Sequence, residues 1–230
     1  MPSLLLFTFS ERLDKGFFRV LATQQAKSDS CLEKNKDSLI DESLSKNQTS
    51  TTISKVNTKK AIEVINQLVA DKVIAKYAIG GAVGALFYLE PTNTEDIDVF
   101  IHLEPIAGSL LVTIDPLLKK LEALGYSEWE NDKIVIEGWP VQFLPAATLL
   151  EIDALESAIK HELEPGLITY ALMPEFLMAI ALACGRPKDK VRLEQFEHQN
   201  AYDPDTLHRI LIKHSLDQKW ENFKLSLKGE

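Results

Sequence analysis

The chain has 230 residues, 45% of them apolar, which is enough for one large or two small globular units with a buried core. Its 25 Lys and Arg against 34 Asp and Glu leave a formal charge of −9. That balance excludes a protein holding nucleic acid mainly by non-specific phosphate neutralisation, although a local basic cluster stays compatible with it. Cys31 lies in a polar stretch and Cys184 in an apolar one, forming neither a metal-ligand spacing nor a disulfide framework, so the reading is a reducing, cytoplasmic setting.

At the start, Leu4-Leu5-Leu6-Phe7 has no basic leader and meets Glu11 and Arg12 before a run of secretory length develops. Later runs fall short of the ~18 apolar residues of a membrane span. The longest, Phe176 to Cys184, stops at Gly185 and reads as a core helix, so no membrane partner is expected. Residues 1–25 form an N-terminal extension whose Phe7, Phe9, Phe17, Phe18 and Val20 suit either a small docking element or a dispensable tail. Residues 26–56 are dominated by Ser, Thr, Asn, Asp and Lys, bury too little apolar surface to offset ordering, and read as a flexible linker.

Order is expected from Asn57 and Thr58, a helix cap, because Ala61, Val64, Ile65, Leu68 and Val69 recur on one helical face. A strand at Tyr77-Ala78-Ile79 runs into Gly80-Gly81, and Ala82 to Leu89 reads as a helix ended by Pro91. Ile97 to Ile101 has strand composition, and Asp115-Pro116 opens a helix that carries Leu117, Leu118, Leu121 and Leu124 and ends at Gly125. Two more strands, Lys133 to Glu137 and Val141 to Leu144, are expected to flank a turn at Gly138-Trp139-Pro140. Beyond Pro145 the pattern turns helical, with helices over Ala147–His161, Pro174–Cys184, Lys188–His198 and Asp203–His214. The fold class is therefore α+β: a small mixed sheet with packed helices over 57–146, followed by a helical region over 147–230.

The chemistry concentrates around Ile79-Gly80-Gly81-Ala82 and Thr94-Glu95-Asp96-Ile97-Asp98-Val99. Glycines at a strand-to-helix turn allow close approach to an anion, and helix amides point toward it. Side chains two residues apart on a strand share a face, so Asp96 and Asp98 can meet the same hard cations while Ile97 and Val99 face the opposite layer. A cation is also what keeps two adjacent, partly buried carboxylates ionised.

Gly-Gly, a short helix and then Thr-x-Asp-x-Asp entering a strand resembles the nucleotidyltransferase superfamily typified by the palm of DNA polymerase beta, and within it the small bacterial AbiEii-type proteins. Pro174 to Ile180 with Gly185-Arg186-Pro187-Lys188-Asp189-Lys190 is similar to the helical segment that follows the palm there, so the resemblance spans Asn57 to His214. It implies transfer of a nucleoside monophosphate from an NTP, with Mg²⁺ or Mn²⁺ as cofactor, to an RNA, protein or small-molecule acceptor, in a defence or toxin–antitoxin setting. By the same resemblance Asp96 and Asp98 are the catalytic metal ligands, and Gly80, Gly81, Thr94, Arg186 and Lys188 bind the nucleotide. Thr94 equally reads as a strand-entry residue bonding local backbone. The cluster Arg186, Lys188, Lys190 and Arg192 equally reads as a capped, solvated helix start.

This chain departs from the family at three positions. Gln142 stands where a third carboxylate is usual, Thr92 where relatives often carry Arg, and Ala181 where they often carry Lys. Each departure removes charge from a reaction that depends on charge stabilisation. Glu137, Asp132 and Glu104 are the acids that could replace the missing one, each also suited to a surface role. His102 falls on the face of the acids by alternation, as a neighbour rather than a base, and His198, His208 and His214 make no ligand set. Trp129, Trp139, Tyr170 and Trp220 read as core or docking residues, one of which could stack on a base. Two functions follow: a metal-dependent transferase, or a catalytically silent relative that binds a nucleotide or a partner protein.

Overall fold

The computed structural model describes residues 58–90, 94–103 and 113–228. The N-terminal extension and linker read from the sequence, with Asn57, Pro91, Thr92 and Glu104, lie outside the described residues. The helix expected from Thr58 is present as α1 (58–70), and its Ala61, Ile65 and Leu68 are fully buried. Strand β1 (Lys76–Ile79) then leads through Gly80 into α2 (Gly81–Ala85), and β2 (Ile97–His102) follows. The segment from α3 (Asp115–Ala123) continues with β3 (Trp129–Glu130), β4 (Lys133–Ile136) and β5 (Trp139–Pro145).

These strands join one sheet whose order is β3-β4-β5-β2-β1, completed by two later strands on the far side of β1. Antiparallel pairing sets Tyr77 opposite Ile101, and parallel pairing sets Asp98 opposite Gln142. The three segments expected to share a sheet, Tyr77–Ile79, Ile97–Ile101 and Val141–Leu144, therefore do so.

The two faces of the sheet bury different cores. Ile97, Val99 and Ile101 pack with Ile65, Leu68, Leu117 and Leu121 beneath α1 and α3. Phe100, on the other face, packs with Leu172, Phe176 and Leu177 and, further out, with the C-terminal helices through Phe196, Leu207 and Trp220. Each fully buried aliphatic side chain contributes roughly 1.5–3 kcal/mol relative to exposure, so both layers matter to the fold.

Four expectations need correction. The helix expected over Ala82–Leu89 is only five residues long. Leu86 N–H is shared between Ala82 O and Val83 O, and Phe87 and Tyr88 donate to Gly84 O and Ala85 O. This tightening sends Phe87 into a side cluster while Leu89 enters the core beneath the C-terminal helices. The β4–β5 turn is Glu137-Gly138 (φ 52° and 81°), not Gly138-Trp139-Pro140; positive φ at both residues gives the twist a two-residue hairpin needs, so Trp139 and Pro140 pair with Ile136 and Val135 in the ladder.

The helix expected over Ala147–His161 ends at Glu156 as α4 (Leu149–Glu156), which opens on Thr148 with a reciprocal cap to Glu151. The chain then forms a hairpin, β6 (Ile159–Glu164) and β7 (Leu167–Ala171), turning at Pro165-Gly166. β7 pairs in parallel with β1 at Ile79 and Ala171. The fourth correction is that a terminal helix, Asp217–Lys228, follows the three expected ones.

From Pro174 onward the chain is helical: α5 (Pro174–Cys184), α6 (Pro187–Gln199), α7 (Pro204–Lys213) and α8 (Asp217–Lys228). Gly185, left-handed at φ 67°, ends α5 and lets Pro187 start α6 at once. Buried Glu175 on α5 accepts the Asp203 N–H at 2.7 Å, tying α5 to the start of α7. The architecture is thus a seven-stranded mixed sheet with helices on it and a helical C-terminal region.

Candidate functional site

The glycine pair is required first by the strand beside it. Gly80 N–H donates to Asp98 O at 2.8 Å, and a Cβ on Gly80 would lie 2.5 Å from the Phe100 ring. Gly81 adopts φ +56°, and a Cβ there would lie 1.9 Å from Asp98 Oδ2. Gly81 therefore gives the Asp98 carboxylate its room, a demand that neither the glycine motif nor the acid spacing states separately.

Strand alternation puts Asp98 on the face opposite Ile97 and Val99, and α6 covers that face. Asp96 stands just before β2, and Thr94 Oγ1 donates to Asp96 O at 3.0 Å. Of the two readings for Thr94, its contact is the local backbone one, which fixes the entry to the strand.

Opposite these acids, α6 supplies cations. Fully buried Asp189 receives Arg186 through Nε at 2.7 Å and NH2 at 3.1 Å, and Arg192 through NH1 at 3.5 Å. One carboxylate thus aims two guanidinium groups and leaves each with further donors. Thr94, Asp96 and Asp98 line one side of a cleft of about 450 Å³, and Arg186, Lys188 and Arg192 line the other. A second cavity, about 320 Å³, shares Asp98, Arg186 and Arg192 with it and is bounded by Gly81, Gln142 and apolar Leu144 and Ile180. Lys190, from the same basic cluster, is exposed.

Burial, and then the neighbouring Asp96, push the Asp98 carboxyl above the usual carboxylate range; Lys188, Arg192 and Arg186 pull the other way without cancelling the rise. Burial lowers the affinity of Arg192 for its proton, opposed by Asp189 and Asp98. Within the cleft, then, the half-buried Asp96 and Asp98 face the cations of α6.

The structure adds a residue that the sequence reading missed. Ile134, Val141 and Ile97 form one apolar cross-strand row, so Lys133, one residue earlier on β4, takes the opposite face with Gln142 and Asp98. Its Nζ lies 3.2 Å from Asp96 Oδ2 and 4.0 Å from Asp132 Oδ1. The bond to Asp96 raises the Lys133 pKa, keeping it an ammonium. Gln142, in register with Asp98, donates through Nε2 to Asp132.

The other acids and aromatics lie elsewhere. Glu137 sits in the β4–β5 turn, accepting from Tyr126 at 2.7 Å with Lys60 at 3.8 Å. His102 is exposed at the end of β2, and His214 Nε2 lies 2.9 Å from Asp153. Among the described residues, no group of three or more His, Cys, Asp and Glu side chains is arranged as a metal site. Trp220 is buried and stacks on Phe223, Tyr170 meets Tyr77 edge-on, and Trp139 is half-buried against the core beneath α1 and α3, whereas Trp129 is exposed. None of the described helices is long and apolar enough to cross a membrane.

No family model matches this chain, and no curated protein matches it. Among solved structures, the chain is similar to an antigenic nucleotidyltransferase-like protein from Paracoccidioides brasiliensis, at 17% identity and a TM-score of 0.45, over 74% of this chain and 91% of that one.

Proposed function

We propose that the chain is a nucleotidyltransferase that binds a nucleoside triphosphate in the 450 Å³ cleft and passes its nucleoside monophosphate to an RNA, protein or small-molecule acceptor. The observation that carries this reading is the meeting of two groups of opposite charge across one cleft: Asp96 and Asp98 from the sheet, Arg186, Lys188 and Arg192 from α6. A triphosphate needs both, cations for its oxygens and carboxylates for the counter-cation it carries. In the reaction the acceptor oxygen bonds to the α-phosphorus, the bond from that phosphorus to the bridging oxygen breaks, pyrophosphate leaves with the electron pair, and the acceptor proton passes to water. Arg186, Lys188 and Arg192 would hold the phosphate oxygens in place as charge moves onto the pyrophosphate.

Asp96 and Asp98 are the residues that would hold a divalent cation, Mg²⁺ or Mn²⁺, which would offset phosphate charge. A second does not fit the residues present, since Lys133 already lies against Asp96 and neutral Gln142 stands in register with Asp98. The AbiEii-type resemblance of the sequence extends this proposal to a role in defence or in a toxin–antitoxin pair.

The test is incubation with each labelled NTP, Mg²⁺ or Mn²⁺, and total RNA and protein extract; label on an acceptor supports the transferase. A second reading, a silent relative that binds a nucleotide or partner protein, is favoured by Gln142 in the acid position. Nucleotide binding without label transfer would select it. If charge alone limits transfer, Gln142→Asp increases the rate, and ~1.4 kcal/mol of added transition-state stabilisation appears as a tenfold change.

A further inference from the structure

The β3–β4–β5 hairpins bring three side chains to the edge of the acid pair. The turn at Asn131-Asp132 delivers Asp132 to Gln142, and Lys133 follows at once, half-buried beside Asp96. Lys133 reaches Asp96 at 3.2 Å and Asp132 at 4.0 Å, so one ammonium bridges two carboxylates. Gln142 holds Asp132 from the other side, through an amide hydrogen that a carboxylate at that position would lack. The neutral residue and the lysine are therefore one arrangement: with an acid at 142, Asp132 would lose its amide donor and be repelled.

Charge sets what this arrangement can accept. Asp96 is already paired with Lys133 while Asp98 faces the cations of α6, which leaves the acid pair little uncompensated charge for a second divalent cation. A second would have to displace an ammonium that is already hydrogen-bonded to Asp96.

We propose that Lys133 takes the place of a second metal ion, as a fixed internal cation on Asp96, so that the site holds a single divalent cation accompanying the triphosphate. This rests on the nucleotide-binding reading of the cleft. Lys133 acts here as a positioning residue: it holds Asp96 in one orientation and neutralises it whether or not a nucleotide is present, and the cation count at the site becomes one by construction of the β4–β5 hairpin.

The experiment counts Mn²⁺ bound to the full chain by equilibrium dialysis against Mn²⁺ and saturating inorganic tripolyphosphate, the excess of manganese and phosphate on the protein side giving the bound amounts, with a probe that needs no knowledge of the base. The wild-type chain is expected to bind one Mn²⁺. Lys133→Met, which keeps the length of the side chain and removes its charge, is expected to bind a second, or to bind Mn²⁺ without tripolyphosphate at least tenfold more tightly. Lys133→Arg is expected to retain the count of one, and far-UV circular dichroism of each variant checks the fold. Two Mn²⁺ in the wild-type chain, or equal counts and affinities in wild type and Lys133→Met, would overturn the role of Lys133 while leaving the nucleotide site standing. Absence of bound Mn²⁺ and of tripolyphosphate in every chain would remove the nucleotide reading itself, and this inference with it.

Discussion

Strand β2 presents two faces that obey different rules. On one, Ile97, Val99 and Ile101 are all fully buried against aliphatic residues of α1, α3, β4 and β5. On the other, Asp98 stands half-buried between Gly81 and the cations of α6, and only Phe100 beyond it is core. Six consecutive residues thus divide, by the two-residue period of a strand, between a side that contributes stability and a side that gives some up to hold charge in a cleft. The rise in the Asp98 pKa records that cost, and the sequence tolerates it because the opposite face is dry, apolar and closely packed.

The largest effect is expected on the apolar face. Ile101→Ala should lose about 2–5 kcal/mol, from lost burial plus the cavity left behind, seen as a lower urea midpoint, while any melting shift caused by Mg²⁺ and NTP is retained. A loss below about 1 kcal/mol would mean that the division between the faces is less sharp than the packing indicates.

Gly81→Ala tests the boundary between them. It should cost about 1–2 kcal/mol for a non-glycine residue in the left-handed region. It should also abolish the melting shift with Mg²⁺ and NTP, because its Cβ would displace Asp98 Oδ2 from 1.9 Å away. If nucleotide and metal bind the variant unchanged, Asp98 is not where the ligand is held.

Asp98→Asn should separate function from stability in the reverse sense. Since the folded state raises this carboxyl's pKa above its unfolded value, the ionised form weakens the fold above the folded pKa, and the penalty fades as pH falls toward the unfolded value. The ligand-free variant should accordingly melt higher than wild type at neutral pH, by about 2–4 °C for each kcal/mol relieved in a chain of this size, with the two curves converging toward about pH 4. Binding of the NTP with Mg²⁺ stabilises only the folded state, and the variant should lose that shift. A variant less stable than wild type at pH 7 would contradict the electrostatic account.

The smallest effect belongs to the exposed rim. Lys188→Ala should leave stability within about 0.5 kcal/mol, because its side chain is exposed, and weaken tripolyphosphate binding by up to about tenfold in calorimetry. Undiminished affinity would remove Lys188 from the phosphate site.

The local chemistry was open to reading because its signals are short in range. Asp96 and Asp98 two residues apart, Gly80-Gly81 at the end of a strand, and Arg186 and Lys188 just after Gly185 each follow from periods and caps that the neighbouring residues set. What those signals did not carry is partnership. Lys133 reads as an ordinary strand-start lysine until the register of β4, β5 and β2 brings it to Asp96, 37 positions away in the chain. Asp189 reads as one charge among several in a helix start, yet it is the buried anchor of Arg186 and Arg192.

Residues 159–171 show the same limit at the level of the fold. Ile159-Lys160-His161-Glu162 suits the end of a polar helix as well as a strand, and it becomes a strand because β7 is available to pair with it and β1 to receive β7. Strand preference is largely a property of the neighbours a segment finds. By itself, then, the sequence determined which residues alternate, which turns need glycine and which charges lie near one another along the chain. Tertiary structure alone decided that the late hairpin completes the sheet, that α6 faces the acids, and that Lys133 lies against Asp96, because each depends on contacts between segments far apart in the chain, which no local period encodes.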